Sequence, residues 1–307
     1  MRFQHYTLPI LLTGLFLYIF SSGCISSKTS LKNVAVEKSL LWEIQTPGAK
    51  EPSYLFGTIH IIGAEDYFLP KGTMTSFEKS NKIFFEIDMA QMSDMSSLMG
   101  MMNKLYMSDG KTLKSLLSEK DYKTVVDFFQ EKGMPIIFFE RMKPMFLTVL
   151  TSGDLDPGGL KNGEMKSYEF EFMEMASQTK KPTGGLESIE FQIGLFDKIP
   201  YEKQAEMLIN AINTTEEGGN ELEEMVKVYK DQDLEKLASM IESSDSEISG
   251  YEDILLTERN KNWIPIIIEE TKKQPSFFAV GAGHLGGKNG VISLLKKQGV
   301  KVKAVKP

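Results

Sequence analysis

Residues Lys82–Asp88 read KIFFEID, an apolar run broken only by one glutamate. Such a run suits a strand buried on both faces, as in the middle of an α/β sheet, and this sets the terms for the rest of the chain. Comparable runs occur at both ends. Leu40–Ile44 (LLWEI) and Tyr54–His60 (YLFGTIH) flank a turn segment holding Pro47, Gly48 and Pro52, and Phe277–Val280 (FFAV) and Val300–Val305 lie near the other end. A helix from about Asn289 to Gln298, capped by Gly299, separates those last two strands. From Met89 to Lys273 the apolar residues recur every three or four positions, as in Tyr122–Phe129, Phe170–Ala176, Lys203–Ile212 and Trp263–Thr271. The pattern predicts an α/β fold. Its central mixed β-sheet is formed from N- and C-terminal strands, with a long, mainly helical middle section, and residues 40–307 make one domain.

The segment before this domain reads as an address. Arg2 is the only charge before Lys28, and an apolar stretch from Leu8 to Phe20 is interrupted by Pro9, Thr13 and Gly14. A membrane-spanning helix needs about 20 apolar residues, so the stretch matches the apolar region of a secretory signal instead. It ends in Ser21-Ser22-Gly23-Cys24, which resembles the lipobox of bacterial lipoproteins. The expectation is a lipoprotein signal peptide over 1–23, lipidation of Cys24, and a tether over 24–39. The protein would then be held in the cell envelope by a lipid anchor in the membrane, or secreted if not lipidated. No acidic residue directly follows Cys24, which in a two-membrane bacterium favours the outer membrane. Cys24 is the only cysteine, so no disulfide can form within the chain. The net charge of −7 and the absence of basic runs argue against nucleic acid as a partner.

Of three histidines, His5 lies in the signal segment, leaving His60 and His284. Each follows a glycine by three positions (Gly57-Thr58-Ile59-His60 and Gly281-Ala282-Gly283-His284) and each stands at the carboxyl end of an apolar strand. Sites in α/β sheets gather at that edge, and glycine there permits close approach. Glu86, inside its apolar run, must be paired or bind a metal, because an isolated buried carboxylate costs several kcal/mol. One alternative is a structural ion pair, for instance with Arg259; another is two ordinary hydrogen-bonding histidines. Two histidines and a carboxylate are also a known ligand set for Zn, Mn, Co or Fe, with a position left for water. No G-x-S-x-G elbow supports a serine hydrolase. A methionine-rich stretch, Met89 to Met107, is expected to be an amphipathic helix covering core or cleft.

GTIH, a strand ending in E-x-D and a C-terminal VGAGHL resemble the TraB/GumN family, to which the Tiki metalloproteases and, more distantly, the erythromycin-esterase-like proteins are related. Lys143-Pro144, the block Ser167-Tyr168-Glu169 with Gly185-Leu186-Glu187-Ser188 and Gln192, and Arg259-Asn260 with Trp263 match further motifs, so the likeness runs from about Leu40 to the C-terminus. The resemblance implies a Tiki/erythromycin-esterase-like fold and a metal-dependent, peptidase-like hydrolase acting on a peptide or protein. His60, Glu86 and His284 would hold a divalent metal (Mn, Co or Zn) that activates water, and Glu86, Glu187, Arg259 and Asn260 would form the catalytic set. Arg259 would pair with a carboxylate or hold a substrate carbonyl oxygen. The alternative is a non-enzymatic envelope lipoprotein that binds a peptide or signalling ligand in the same pocket.

Overall fold

The structure, a computed structural model, describes residues 37–88, 103–151, 162–217, 219–242 and 250–305. The expected signal peptide, Cys24, most of the expected tether and residues 89–102 of the methionine-rich stretch lie outside them.

The strands are β1 (Leu41–Gln45), β2 (Ser53–Thr58), β3 (Ile62–Gly63), β4 (Lys82–Ile87), β5 (Met165–Lys166), β6 (Thr183–Glu187), β7 (Ser276–Gly281) and β8 (Lys301–Ala304). The helices are α1 (Thr73–Lys79), α2 (Leu113–Leu116), α3 (Glu119–Glu131), α4 (Pro144–Thr151), α5 (Tyr168–Gln178), α6 (Ile189–Phe196), α7 (Tyr201–Glu217), α8 (Gly219–Lys230), α9 (Leu234–Glu242), α10 (Glu258–Lys273) and α11 (Val291–Lys297).

Six strands form one sheet in the order β6-β4-β7-β2-β1-β8. The pairs β6–β4, β4–β7 and β7–β2 are parallel, while β1 runs antiparallel to both β2 and β8. This is the mixed α/β sheet expected from the two ends of the chain. β2 and β7 are buried at every position, as their unbroken apolar runs require. Phe56, Phe77, Phe172 and Phe277 pack ring against ring, tying α1 and α5 to the sheet. Trp263, Ile267, Val291 and Leu295, from α10 and α11, complete the same core.

Two findings correct the reading of the middle section. β6 (TGGLE) is a strand where strand signals fade. Its glycines are what the lattice of neighbours demands: a Cβ on Gly185 would sit 2.4 Å from the Asp88 nitrogen, and one on Gly184 2.9 Å from the Phe84 ring. β3 and β5 form a second, two-residue ladder. Asp88 lies just past β4, where its Oδ1 accepts a hydrogen bond from Thr183 Oγ1 at 3.4 Å.

Candidate active site

The four adjacent parallel strands β6, β4, β7 and β2 end on one edge, and each delivers a functional group there. Glu187 is the last residue of β6 and Glu86 the last but one of β4. Gly281 ends β7, followed at once by a 3₁₀ turn to His284, and His60 follows β2 by two residues. The two Gly-x-x-His segments are neighbours across β2–β7, with Thr58 opposite Gly281. Both glycines are places of close approach. A Cβ on Gly57 would come within 3.2 Å of Ala282. One on Gly281 would stand 3.2 Å from Glu86 Oε1, 3.6 Å from His284 Cδ2 and 3.8 Å from His60 Nε2. The space over Gly281 is therefore the point on which the three side chains converge, and Glu86, His60 and His284 are all buried.

Each imidazole is held by its far nitrogen. His60 Nδ1 donates to Glu169 Oε1 at 3.0 Å, and that carboxylate also accepts from Thr58 Oγ1 at 2.7 Å and Ser167 Oγ at 3.2 Å. His284 Nδ1 donates to Asn260 Oδ1 at 2.6 Å, while the Asn260 amide nitrogen is spent on the Asn289 carbonyl at 3.0 Å. These partners accept only, so the hydrogen-bond network assigns the proton to Nδ1 in both rings and leaves Nε2 facing the pocket. Imidazole metal ligands are held by their second nitrogen in this way. Sequence reasoning gives Glu169 no role of its own, although it stands in the Ser167-Tyr168-Glu169 motif. It lies far from His60 in the chain, and the only signal was an acid in the first turn of a helix behind Ser167.

Arg259 is wholly buried. Its Nε donates to Glu187 Oε1 and Oε2 at 2.8 and 3.1 Å. Nη2 donates to Glu86 Oε2 at 2.6 Å and also to Glu187 Oε1. Nη1 donates to the Leu255 carbonyl at 3.3 Å and to His284 Nε2 at 2.9 Å. The ion pair of Glu86 with Arg259 weighed from the sequence thus exists, beside the histidines rather than instead of them. Trp263 backs the site: its ring lies 4.5 Å from that of His284, its Nε1 donates to Glu187 Oε2 at 3.0 Å, and the guanidinium sits 4.9 Å from its ring. Gln192 Nε2 donates to Glu187 Oε1 at 3.1 Å and, more weakly, to Glu86 Oε2 at 3.4 Å. Its Oε1 is the one buried side-chain oxygen or nitrogen without a partner among the described residues.

Burial alone would raise the Glu86 pKa. The charge of Arg259, then those of the histidines and the Gly281 N–H, override it and hold this carboxyl far below the usual range. Glu187 goes the other way: burial pushes it up, aided by the charge on Glu86, and Arg259 does not fully compensate. For His284, burial and then the Arg259 charge bring the pKa down to about 3, so this ring is neutral. Burial also opposes protonation of His60, but Glu169 and Glu86 outweigh it and lift its pKa above the ordinary value.

The residues fit a divalent cation in kind: two imidazole nitrogens and one carboxylate oxygen over a glycine, with second-layer acceptors in place. In position they are held open. His284 Nε2 and Glu86 Oε1 stand 3.8 Å apart with Arg259 on both residues, and among the described residues no three His, Cys, Asp or Glu side chains are close enough to share a metal as placed.

The sequence profile of the TraB/PrgY/gumN family matches residues 40–304. Curated relatives include metalloprotease TIKI1 of Xenopus tropicalis, 23% identical over 94% of this chain and 66% of the relative. Metalloprotease TIKI2 of Danio rerio is 22% identical over 88% and 61%, and metalloprotease TIKI1 of Danio rerio is 22% identical over 86% and 62%. The chain thus spans less than two thirds of the length of these relatives. No solved structure matches it.

Proposed function

This chain belongs to the TraB/PrgY/gumN family, and from that membership we propose that the pocket over Gly281 is the active site of a metal-dependent, peptidase-like hydrolase. The observation that carries the reading is the convergence of two Gly-x-x-His imidazoles and Glu86 on one buried point, with the far nitrogen of each ring fixed. The metalloprotease relatives, at 22–23% identity, point the same way. A divalent cation such as Mn, Co or Zn, held by His60, Glu86 and His284, would supply a bound water with a pKa near about 7.

The chain's own residues do the rest. Glu169 and Asn260 fix the ring tautomers, so that Nε2 of each histidine is offered to the pocket. Arg259 keeps Glu86 ionised. Glu187, its oxygens taken up by Arg259, Trp263 and Gln192, anchors that arginine and is a positioning residue, as is Asn260.

The test is a peptide-library cleavage assay on the purified protein, with chelator and with metal restored. Cleavage should be lost in chelator, return with Mn, Co or Zn, and be absent from folded His60→Ala, His284→Ala and Glu86→Gln variants. Full cleavage in chelator, or by folded His60→Ala, would falsify the reading. We also propose lipidation of Cys24 and attachment to the bacterial cell envelope, supported by the N-terminal sequence alone. Metabolic labelling with a radioactive fatty acid should mark the protein and spare Cys24→Ser; equal labelling of both would end that proposal.

A further inference from the structure

The pocket contains a contradiction that the proposed function does not resolve. His284 Nε2, the lone pair a metal would need, is already taken by Arg259 Nη1 at 2.9 Å. With the Nδ1 proton committed to Asn260, this nitrogen has a single lone pair, which can face an N–H or a cation but not both. Glu86 is shared in the same manner, its Oε2 engaged by Arg259 Nη2 at 2.6 Å and its Oε1 by the Gly281 N–H at 2.9 Å.

Arg259 is also built so that it can let go. Its Nε and Nη2 grip Glu187, and Nη1 has the Leu255 carbonyl as a second acceptor. A small swing of Nη1 off His284 would leave most of its hydrogen bonds intact, so surrendering the imidazole would not strand a buried charge. A rigid guanidinium fork suits such a multi-point grip, whereas a lysine, with one nitrogen, could not reach Glu187, Glu86 and His284 together.

We propose that Arg259 is the resident counter-cation of the metal-free pocket, and that a divalent metal enters only by displacing its Nη1 from His284 Nε2. The inference rests on the metal-binding reading above. In the empty protein the arginine neutralises Glu86 and keeps the imidazole preorganised. When the pocket is loaded, two cations must share a buried space, so the affinity of the site is set below what its ligands alone would give. Glu187 draws the arginine aside and makes the exchange feasible.

The experiment is calorimetric titration of the purified full-length protein with Co²⁺ and Zn²⁺, beside Arg259→Gln, Arg259→Lys and His284→Ala. Arg259→Gln should bind Co²⁺ at least about tenfold more tightly than the unaltered protein, because the competitor is gone, and its melting temperature should rise more on adding metal. Arg259→Lys should bind with a smaller gain, and it decides the matter if Arg259→Gln does not fold. His284→Ala should abolish the heat in every background. Unchanged or weaker binding by the folded Arg259 variants, with metal bound by the unaltered protein, overturns the exchange alone and makes Arg259 a support for the ligands. Silence in all backgrounds sinks the metal reading and the exchange with it.

Discussion

At its start β7 places Phe277 among Phe56, Phe77 and Phe172, whose rings lie stacked, edge to face and tilted against its own, respectively. At its finish the same strand hands Gly281 and His284 to a pocket with two glutamates and an arginine. Both regions are buried, yet they are held by different physics. The aromatic region gains from area removed from water and from packing density, which any side chain of similar volume partly supplies. The polar region gains little net energy from any one ion pair and depends on each charge having its partner. The first should tolerate substitution by size; the second should fail by count.

The sharpest way to break this contrast is Arg259→Met, close in length and apolar. It strands Glu86 and Glu187, and the expected cost is roughly 3–5 kcal/mol in urea unfolding at pH 7. A loss under about 1 kcal/mol would show that the guanidinium is not what balances the two acids. Acid is the next probe. His284 has a folded pKa lowered to about 3 from 6.5, so between those values the unfolded chain binds a proton that the folded chain refuses. Stability should therefore decline as pH falls below about 6.5, before Glu86, also depressed, adds its own loss below about 4.5. His60 has the opposite sign: its raised pKa favours the fold below 6.5, an advantage lost as pH rises through the folded value. Unfolding free energies across pH 7 to 4 should flatten in folded His284→Asn; an unchanged slope would exclude His284 as their source.

At the aromatic end, Phe277→Leu keeps most of the volume and should cost only about 1–1.5 kcal/mol by the same denaturation, well below the arginine change. Equal costs would erase the distinction. The smallest effect is expected between the regions, at Ser188. Its hydroxyl caps α6 through the Phe191 N–H at 3.1 Å, on the helix that carries Gln192. Ser188→Ala should cost about 1 kcal/mol, and a markedly larger loss would mean that the cap supports the pocket as well as the helix.

The aromatic region was the easier to read in advance. FFAV, YLFGTIH and KIFFEID announce buried strands because burial on both faces leaves no other composition, and the strands assigned from them lie within a residue or two of those observed. β6 escapes a local reading because its fit is steric: TGGLE carries one large apolar residue, and its glycines are dictated by Phe84 on the neighbouring strand and by Asp88 just beyond that strand's end, which no local pattern reveals. The candidate site divides the same way. His60 and His284 stood out by their repeated spacing and Glu86 by an acid in an apolar run. The motif likeness supplied Glu187, Arg259 and Asn260. Glu169 as the partner of His60, and the grip of Arg259 on His284, are contacts between segments far apart in the chain, and they become visible only once the sheet is assembled.

The position of β7 also has a consequence in time. β2 and β4 leave the ribosome early, but in the finished sheet β7 lies between them. Until residues 276–281 are made, each of those strands keeps a row of unpaired peptide groups along one side, a template for mispairing. Pairings so distant in the chain form slowly, so a truncated polypeptide would be sticky and lack His284. The pocket and the strand that closes the gap between β2 and β4 arrive together.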